Sequence, residues 1–224
     1  MATARSYMLL CPIARALDHI GDRWTLLILR DLHAGPARFS ELQAGLKGIA
    51  SNLLTGRLQQ LQEDGLIILR EAEFGVAVYE LSDLGKQSNN ILFELARFGG
   101  QLPAGEDIKK PGNLRTIAVT LQTACERVVD PALDFTAGLE VDGENFAITV
   151  KAGAVDIAYR KAVAPDVIMK TGYEPMMAAA EGRLSLPEFV SEHARIEANR
   201  PGKEVELMTL MGAAMTLLSQ GSVN

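Results

Sequence analysis

The chain has 224 residues, 48% hydrophobic and 22% charged, which excludes a disordered chain and allows one large domain or two ordinary ones. Aromatics make up only 5%, so its cores must be built from Leu, Ile, Val, Ala and Met. The net charge of −6 counts against a nucleic-acid partner until it is divided: residues 1–102 carry −1 and residues 103–224 carry −5. A local basic patch suffices for phosphate contacts when the acid faces elsewhere.

The first half reads as short helices followed by a hairpin. Residues 11–20 place Ile13, Leu17 and Ile20 on one helical face, and Gly21 stops the helix. Asp22 is expected to cap a second helix with Trp24, Leu27, Ile28 and Leu32 inward. After the break at Gly35-Pro36, Ser40 is expected to cap a short helix over residues 41–46. Lys47-Gly48-Ile49 forms a tight turn, and a longer helix covers residues 50–64 before Gly65. Residues 66–71 and 76–81 read as strands joined around Glu73-Phe74-Gly75. Ser82-Asp83 caps a last helix with Ile91, Leu92, Leu95 and Ala96 inward. Helix, turn, helix and hairpin in this order is a winged helix-turn-helix arrangement, and its second helix is the DNA reader.

On the helix over residues 50–64, Leu54, Leu58 and Leu61 form a narrow apolar stripe, with Asn52, Thr55, Gln59 and Gln62 opposite. Amides and hydroxyls of this kind hydrogen-bond base edges or phosphates. Gly56 lies on the same side and would permit close approach to a groove. By itself the helix reads equally well as an amphipathic helix with a solvated face; the turn before it and the hairpin after it favour the DNA reading. The candidate DNA contacts are Arg38, Ser40, Lys47, Ser51, Asn52, Thr55, Arg57, Gln59 and Arg70. Arg38, Lys47 and Arg57 suit phosphates, although Arg57 borders the apolar stripe and fits an internal ion pair as well. Arg70 belongs to the wing, whose Glu71 and Glu73 weaken its claim.

Several segments resemble HxlR-type transcriptional regulators: residues 11–32 (CPIARALDHIGDRWTLLILRDL), 35–42 (GPARFSEL), 48–58 (GIASNLLTGRL), 61–66 (LQEDGL) and 79–85 (YELSDLG). The resemblance implies a winged helix, a homodimer joined through terminal helices, and DNA binding at an inverted repeat. Ala50, Asn52 and Gly56 depart from the larger polar or basic groups of many relatives, so an operator sequence does not carry over. It also makes Cys11, at an expected helix start with Arg15 one turn on, a candidate thiol sensor; the alternative is a small buried hydrophobe.

A boundary is expected near residue 103. The Pro-, Gly- and charge-rich residues 103–113 read as a linker between an N-terminal domain, 1–102, and a C-terminal domain, 114–224. In the latter, helix 114–129 is followed by strands at 135–141, 146–151, 155–160 and 166–171, helices at 174–181 and 186–193, a strand at 194–198 and a closing helix at 204–218. This is an α+β domain with a mostly antiparallel sheet. The hairpin at Asp142-Gly143, the strand APDVIMKT (164–171), the helix ending in EGRL (181–184) and the late strand are similar to a sterol-carrier-protein-like domain. That resemblance implies an apolar cavity for a hydrophobic small molecule. Met169, Met176, Met177, Met208, Met211 and Met215 are its candidate lining, or else packed core.

The sequence thus reads as a cytoplasmic, DNA-binding transcriptional regulator, a homodimer with an apolar effector. The alternative is a lipid-binding carrier whose winged helix mediates protein association. No signal peptide or membrane span is expected, the two cysteines are read as reduced, and no metal-ligand spacing, cofactor motif or catalytic motif stands out.

Overall fold

A computed structural model describes residues 6–71, 75–102 and 113–220. The expected linker, apart from Asn113, and the wing-tip residues Glu73 and Phe74 lie outside the described residues. By its contacts the chain divides into two compact units, Met1–Asn89 and Asn90–Asn224.

In the first unit, α1 (Pro12–Ile20), α2 (Thr25–His33), α3 (Phe39–Gly45) and α4 (Ser51–Glu63) precede a hairpin of β1 (Ile67–Glu71) and β2 (Ala77–Leu81). The short α5 (Asp83–Lys86) follows. The core is aliphatic: Ile28, Leu29 and Leu32 of α2 meet Leu42 of α3, Leu54, Leu58 and Leu61 of α4, and Ile67 and Leu81 of the hairpin. Truncating any of these leucines to alanine costs about 2–5 kcal/mol, so the α4 stripe fixes which face of α4 looks outward. Ala37 and Tyr79 exchange backbone hydrogen bonds of 3.0 and 2.8 Å, adding a single bridge to the wing.

Three expectations about this unit are corrected. Ser40 does not cap α3: the N-cap is Arg38, whose backbone N–H donates to Glu41 Oε2 at 2.7 Å. The helix therefore starts two residues earlier than expected, because the carboxylate reaches back where the hydroxyl was expected to serve. Asp22 is two residues short of the α2 N-cap, Trp24, though its Oδ1 accepts the Trp24 N–H at 2.9 Å. On α1 the expected inward residues Ile13 and Leu17 are exposed, and Ala14 is the buried residue.

Two backbone positions explain parts of the sequence pattern. Gly48, in the turn between α3 and α4, sits at φ +93°, a conformation that a Cβ disfavours. Gly85 packs so closely on the hairpin that a Cβ would lie 2.0 Å from the Leu66 carbonyl oxygen. Ser82 fixes that approach: it donates to the Gly65 carbonyl at 2.6 Å and accepts the Gly85 N–H at 3.0 Å, capping α5 as expected.

The division between the units falls inside α6 (Ser88–Gly100), upstream of the boundary expected near residue 103. From Asn90 onward α6 belongs with α7 (Ile117–Val128), because Phe93 is buried in the second core. Arg127 of α7 lies 4.1 Å over the Phe93 ring and reaches Glu94 at 2.6 Å and Asn90 at 3.0 Å. This corrects the inward face of α6: Ile91, Leu95 and Ala96 are exposed, Leu92 is half-buried, and Phe93 is the anchor.

The second unit continues with β3 (Phe135–Val141), β4 (Glu144–Lys151), β5 (Ala154–Ala158), β6 (Val167–Thr171), α8 (Tyr173–Ala180), α9 (Leu186–Glu188), β7 (Arg195–Ala198) and α10 (Lys203–Ser219). The sheet order is β5-β4-β3-β6-β7, antiparallel throughout except for the parallel pair β3–β6. The two-residue turn Asp142-Gly143 has positive φ at both positions, the geometry that matches strand twist in a tight hairpin. α10 packs against α7 and α8, and its Leu207, Leu210, Met211, Ala214 and Met215 join the sheet's inner face in one core. The chain is therefore of the α+β class, a winged helix followed by an α+β unit with an antiparallel-rich sheet.

Candidate nucleic-acid interface

α4 is built to present one polar face. Leu54, Leu58 and Leu61 are essentially inaccessible, whereas Ser51, Asn52, Thr55, Gln59 and Gln62 are exposed. A Cβ on Gly56 would meet nothing within 4 Å, so that position is open space on the outer surface. No acid occupies this face before Glu63, where Gln59 Nε2 donates to Glu63 Oε1 at 3.0 Å. Thr55 Oγ1 donates to the Ser51 carbonyl at 2.9 Å, so its hydrogen is used within the helix and its lone pairs face out. Asn52 Oδ1 accepts the Leu53 N–H at 2.9 Å, leaving its amino group outward.

The cations divide into two sets. Arg38, at the start of α3, and Lys47, in the turn, are exposed, and among the described residues neither forms an ion pair with a carboxylate. Arg57 is half-buried, and its Nη2 lies 2.8 Å from Asp22 Oδ2. Arg70 Nε lies 2.8 Å from Glu80 Oε2 across the hairpin. Of the two alternatives the sequence left for Arg57, the geometry contains the internal ion pair. The sequence reading missed two residues here. Asp22 is one, engaged at once by Trp24 and Arg57. The other is Gln43 of α3, whose Nε2 donates to Ser51 Oγ. Both contacts depend on the angle between helices, which no local spacing encodes.

Elsewhere in the first unit, α2 is tied to the start of α6. Ser88 Oγ donates to the Gly85 carbonyl at 2.7 Å and so accepts from His33 Nε2 at 2.9 Å, which makes that nitrogen the protonated one of a neutral imidazole. Burial lowers the His33 pKa from 6.5 to about 4.

A family model described as HxlR-like helix-turn-helix matches residues 19–106. The uncharacterised HTH-type transcriptional regulator YvaP of Bacillus subtilis is 32% identical over 93 residues, covering 40% of this chain and 85% of that protein. Its counterpart YtfH of Escherichia coli is 34% identical over 90 residues, covering 38% and 70%. Among solved structures, the reduced form of the transcriptional regulator YodB from B. subtilis has 25% identity and a TM-score of 0.38, covering 42% of this chain and 95% of that one. The chain belongs to the HxlR-like helix-turn-helix family of transcriptional regulators.

As in the sequence reading, this HxlR-like regulator carries its helix-turn-helix in α3 and α4. Cys11 is the N-cap of α1, partly exposed, and its carbonyl accepts the Arg15 N–H at 3.0 Å. Cys125 is buried in the second core, where desolvation pushes its thiol up to about 12. Of the six methionines singled out from the sequence, Met169, Met176, Met211 and Met215 belong to the buried core of the second unit. Met208 packs against that core from a half-buried position, and Met177 is half-buried on α8. Among the described residues no helix is long and apolar enough to cross a membrane, and no group of His, Cys, Asp and Glu is placed to hold a metal ion.

Proposed function

We propose that this regulator binds duplex DNA with α4 in the major groove, as a homodimer on an inverted repeat. The observation that carries this reading is the exposed polar face of α4, opposite its buried leucine stripe and flanked by Arg38 and Lys47, which form no ion pair among the described residues. In this reading Asn52, Thr55 and Gln59 face base edges, while Ser51, Ser40, Arg38 and Lys47 face phosphates. Arg57 acts through the position of α4, and Arg70 would have to leave Glu80 to reach DNA. Exposed Ile13 and Leu17 on α1, and exposed Ile91, Leu95 and Phe98 on α6, support association of two copies through the terminal helices.

The α+β unit is, in this reading, the control domain. Its sheet order and the helices α8–α10 support a sterol-carrier-protein-like fold that takes an apolar small molecule among its methionine-rich helices. Cys11, half-exposed at a helix start, is the accompanying candidate for thiol sensing. An effector regulates only by favouring one DNA-binding geometry of the dimer over another.

The test is retardation of a duplex carrying the region upstream of the protein's own gene, alongside a random duplex of equal length. Binding of the first that is stronger than the second and that weakens steeply with salt supports the reading. Folded protein that retards neither duplex at low salt defeats it. Native mass spectrometry of the same preparation tests the effector claim through a bound apolar mass.

A further inference from the structure

We infer that Gln43 is a positioning residue for DNA binding, one that orients the Ser51 hydroxyl so that its hydrogen points outward to a backbone phosphate. The inference rests on the DNA-binding reading above and names a residue of the same interface. Gln43 lies on α3 and Ser51 is the first residue of α4, so their contact joins the two helices of the helix-turn-helix by side chains. The chemistry of the contact is directional. The Gln43 amino group has hydrogens and no available lone pair, so in this bond the Ser51 oxygen is the acceptor. The hydroxyl hydrogen is then left for another partner. Among the described residues no protein group accepts it, and Ser51 is exposed. A phosphodiester oxygen only accepts hydrogen bonds. A hydroxyl whose hydrogen was spent inward would present lone pairs to it and repel it. With its amino group turned to Ser51, Gln43 disfavours that orientation, and in this reading it does so from behind the contact rather than by meeting DNA itself. Neighbouring Thr55 shows the opposite polarity: its hydrogen is committed to the Ser51 carbonyl, so it offers DNA an acceptor instead.

A double-mutant cycle on the full-length protein tests this, using the upstream duplex and the random duplex over a range of salt. Ser51→Ala is expected to weaken binding to both duplexes about tenfold, since a hydrogen bond to a charged group is lost, and Gln43→Ala about two- to threefold, since the hydroxyl keeps its hydrogen but is no longer oriented. In the Ser51→Ala background, Gln43→Ala is expected to cost nothing further. The slope of log affinity against log salt should stay unchanged in all three variants, because no cation leaves the interface. Melting temperatures should stay within a few degrees of wild type, since the contact is a surface one. Gln43→Glu adds a sharper arm: a carboxylate accepts the Ser51 hydrogen and turns its lone pairs outward. It should therefore cost more in the wild-type background than in the Ser51→Ala background, where only its charge acts. Additive losses, equal costs of Gln43→Glu in both backgrounds, or a salt slope that falls with Gln43→Ala would each overturn the inference while leaving DNA binding intact. Wild-type protein that retards neither duplex would overturn the DNA-binding reading, and this inference with it.

Discussion

Arg57 of α4 closes on Asp22, Nη2 to Oδ2 at 2.8 Å, while the other oxygen of the same carboxylate holds the Trp24 backbone N–H at 2.9 Å. One side chain thus fixes both the start of α2 and the rotation of α4. A cation already satisfied by the protein contributes little to counterion release. Arg57→Ala is expected to lower DNA affinity by loosening α4 while leaving the salt slope close to wild type. Arg38→Ala and Lys47→Ala should each reduce the slope by about 1, as loss of one phosphate contact does. Titrations of the random duplex between low and moderate salt distinguish these. A slope reduced by Arg57→Ala as much as by Lys47→Ala would mean that Arg57 leaves Asp22 on binding.

Glycine has opposite roles at two family-matched positions. Gly85→Ala would drive a Cβ to 2.0 Å from the Leu66 carbonyl oxygen, a backbone atom with no flexible side chain to yield. It is expected to destabilise the winged helix by more than about 3 kcal/mol, visible as a large loss in urea midpoint. Gly56→Ala meets only open space in a helix interior and should stabilise the same unit by about 1 kcal/mol. If α4 enters the groove closely at Gly56, the stabilised variant should nevertheless bind DNA less well. Equal or tighter binding would remove Gly56 from the contact surface.

Much of this architecture was legible in the sequence. The buried stripe Leu54, Leu58 and Leu61 follows from helical periodicity, and β3 follows from strict alternation over residues 135–141, because each signal lies within one element. The Asp142-Gly143 turn was legible for the same reason. What stayed hidden depends on how elements meet. Ile91 and Leu95 fit an inward helical face as well as Phe93 does, and only the packing of α6 on the second core, with Arg127 over the ring, makes Phe93 the anchor. At the candidate site, the exposed face of α4 was readable residue by residue. The pairings Gln43–Ser51 and Arg57–Asp22 were not, since they span the turn and an interhelical angle.

Protonation of His33 should couple acidity to the stability of the first unit. Its folded pKa of about 4 lies below the ordinary imidazole value of 6.5, so between these values the unfolded chain binds the extra proton. Stability from this group is therefore complete above about pH 6.5 and is lost progressively as pH falls toward about 4. Urea unfolding at pH 7.5 and pH 5 should show the loss, and His33→Gln should flatten the dependence in that window. Equal slopes in wild type and variant would assign the acid sensitivity elsewhere.

The two thiols should separate cleanly toward an alkylating agent. Cys125 is buried and its thiol is pushed up to about 12, so native protein at pH 8 presents almost no thiolate there. Cys11 is partly exposed at the start of α1. Iodoacetamide on the folded protein is expected to add one group, located on Cys11 by peptide mass, and a second only after denaturation. Rapid native labelling at Cys125 would mean that the second core opens easily. As for sensing, Cys11→Ala should abolish any oxidant-dependent release from DNA; release that persists would exclude Cys11 as the sensor.

The attachment of α6 to the second unit rests on a small group of contacts that can be removed one at a time. Phe93 is essentially inaccessible in the second core, and the Arg127 guanidinium covers its ring at 4.1 Å while bonding Glu94 and Asn90. Phe93→Ala is expected to cost the unit about 3–5 kcal/mol through the cavity it leaves. Arg127→Ala removes a cation from an aromatic face and an exposed ion pair, together about 1–2 kcal/mol. Arg127→Lys keeps the charge but loses the planar fork that reaches Glu94 and Asn90 together, so it should fall between wild type and Arg127→Ala. Hydrogen exchange gives the local reading: amides of residues 93–98 should lose protection in Arg127→Ala while those of β3 and β4 keep theirs. Uniform loss across the sheet would mean that Arg127 supports the whole unit rather than its hold on α6.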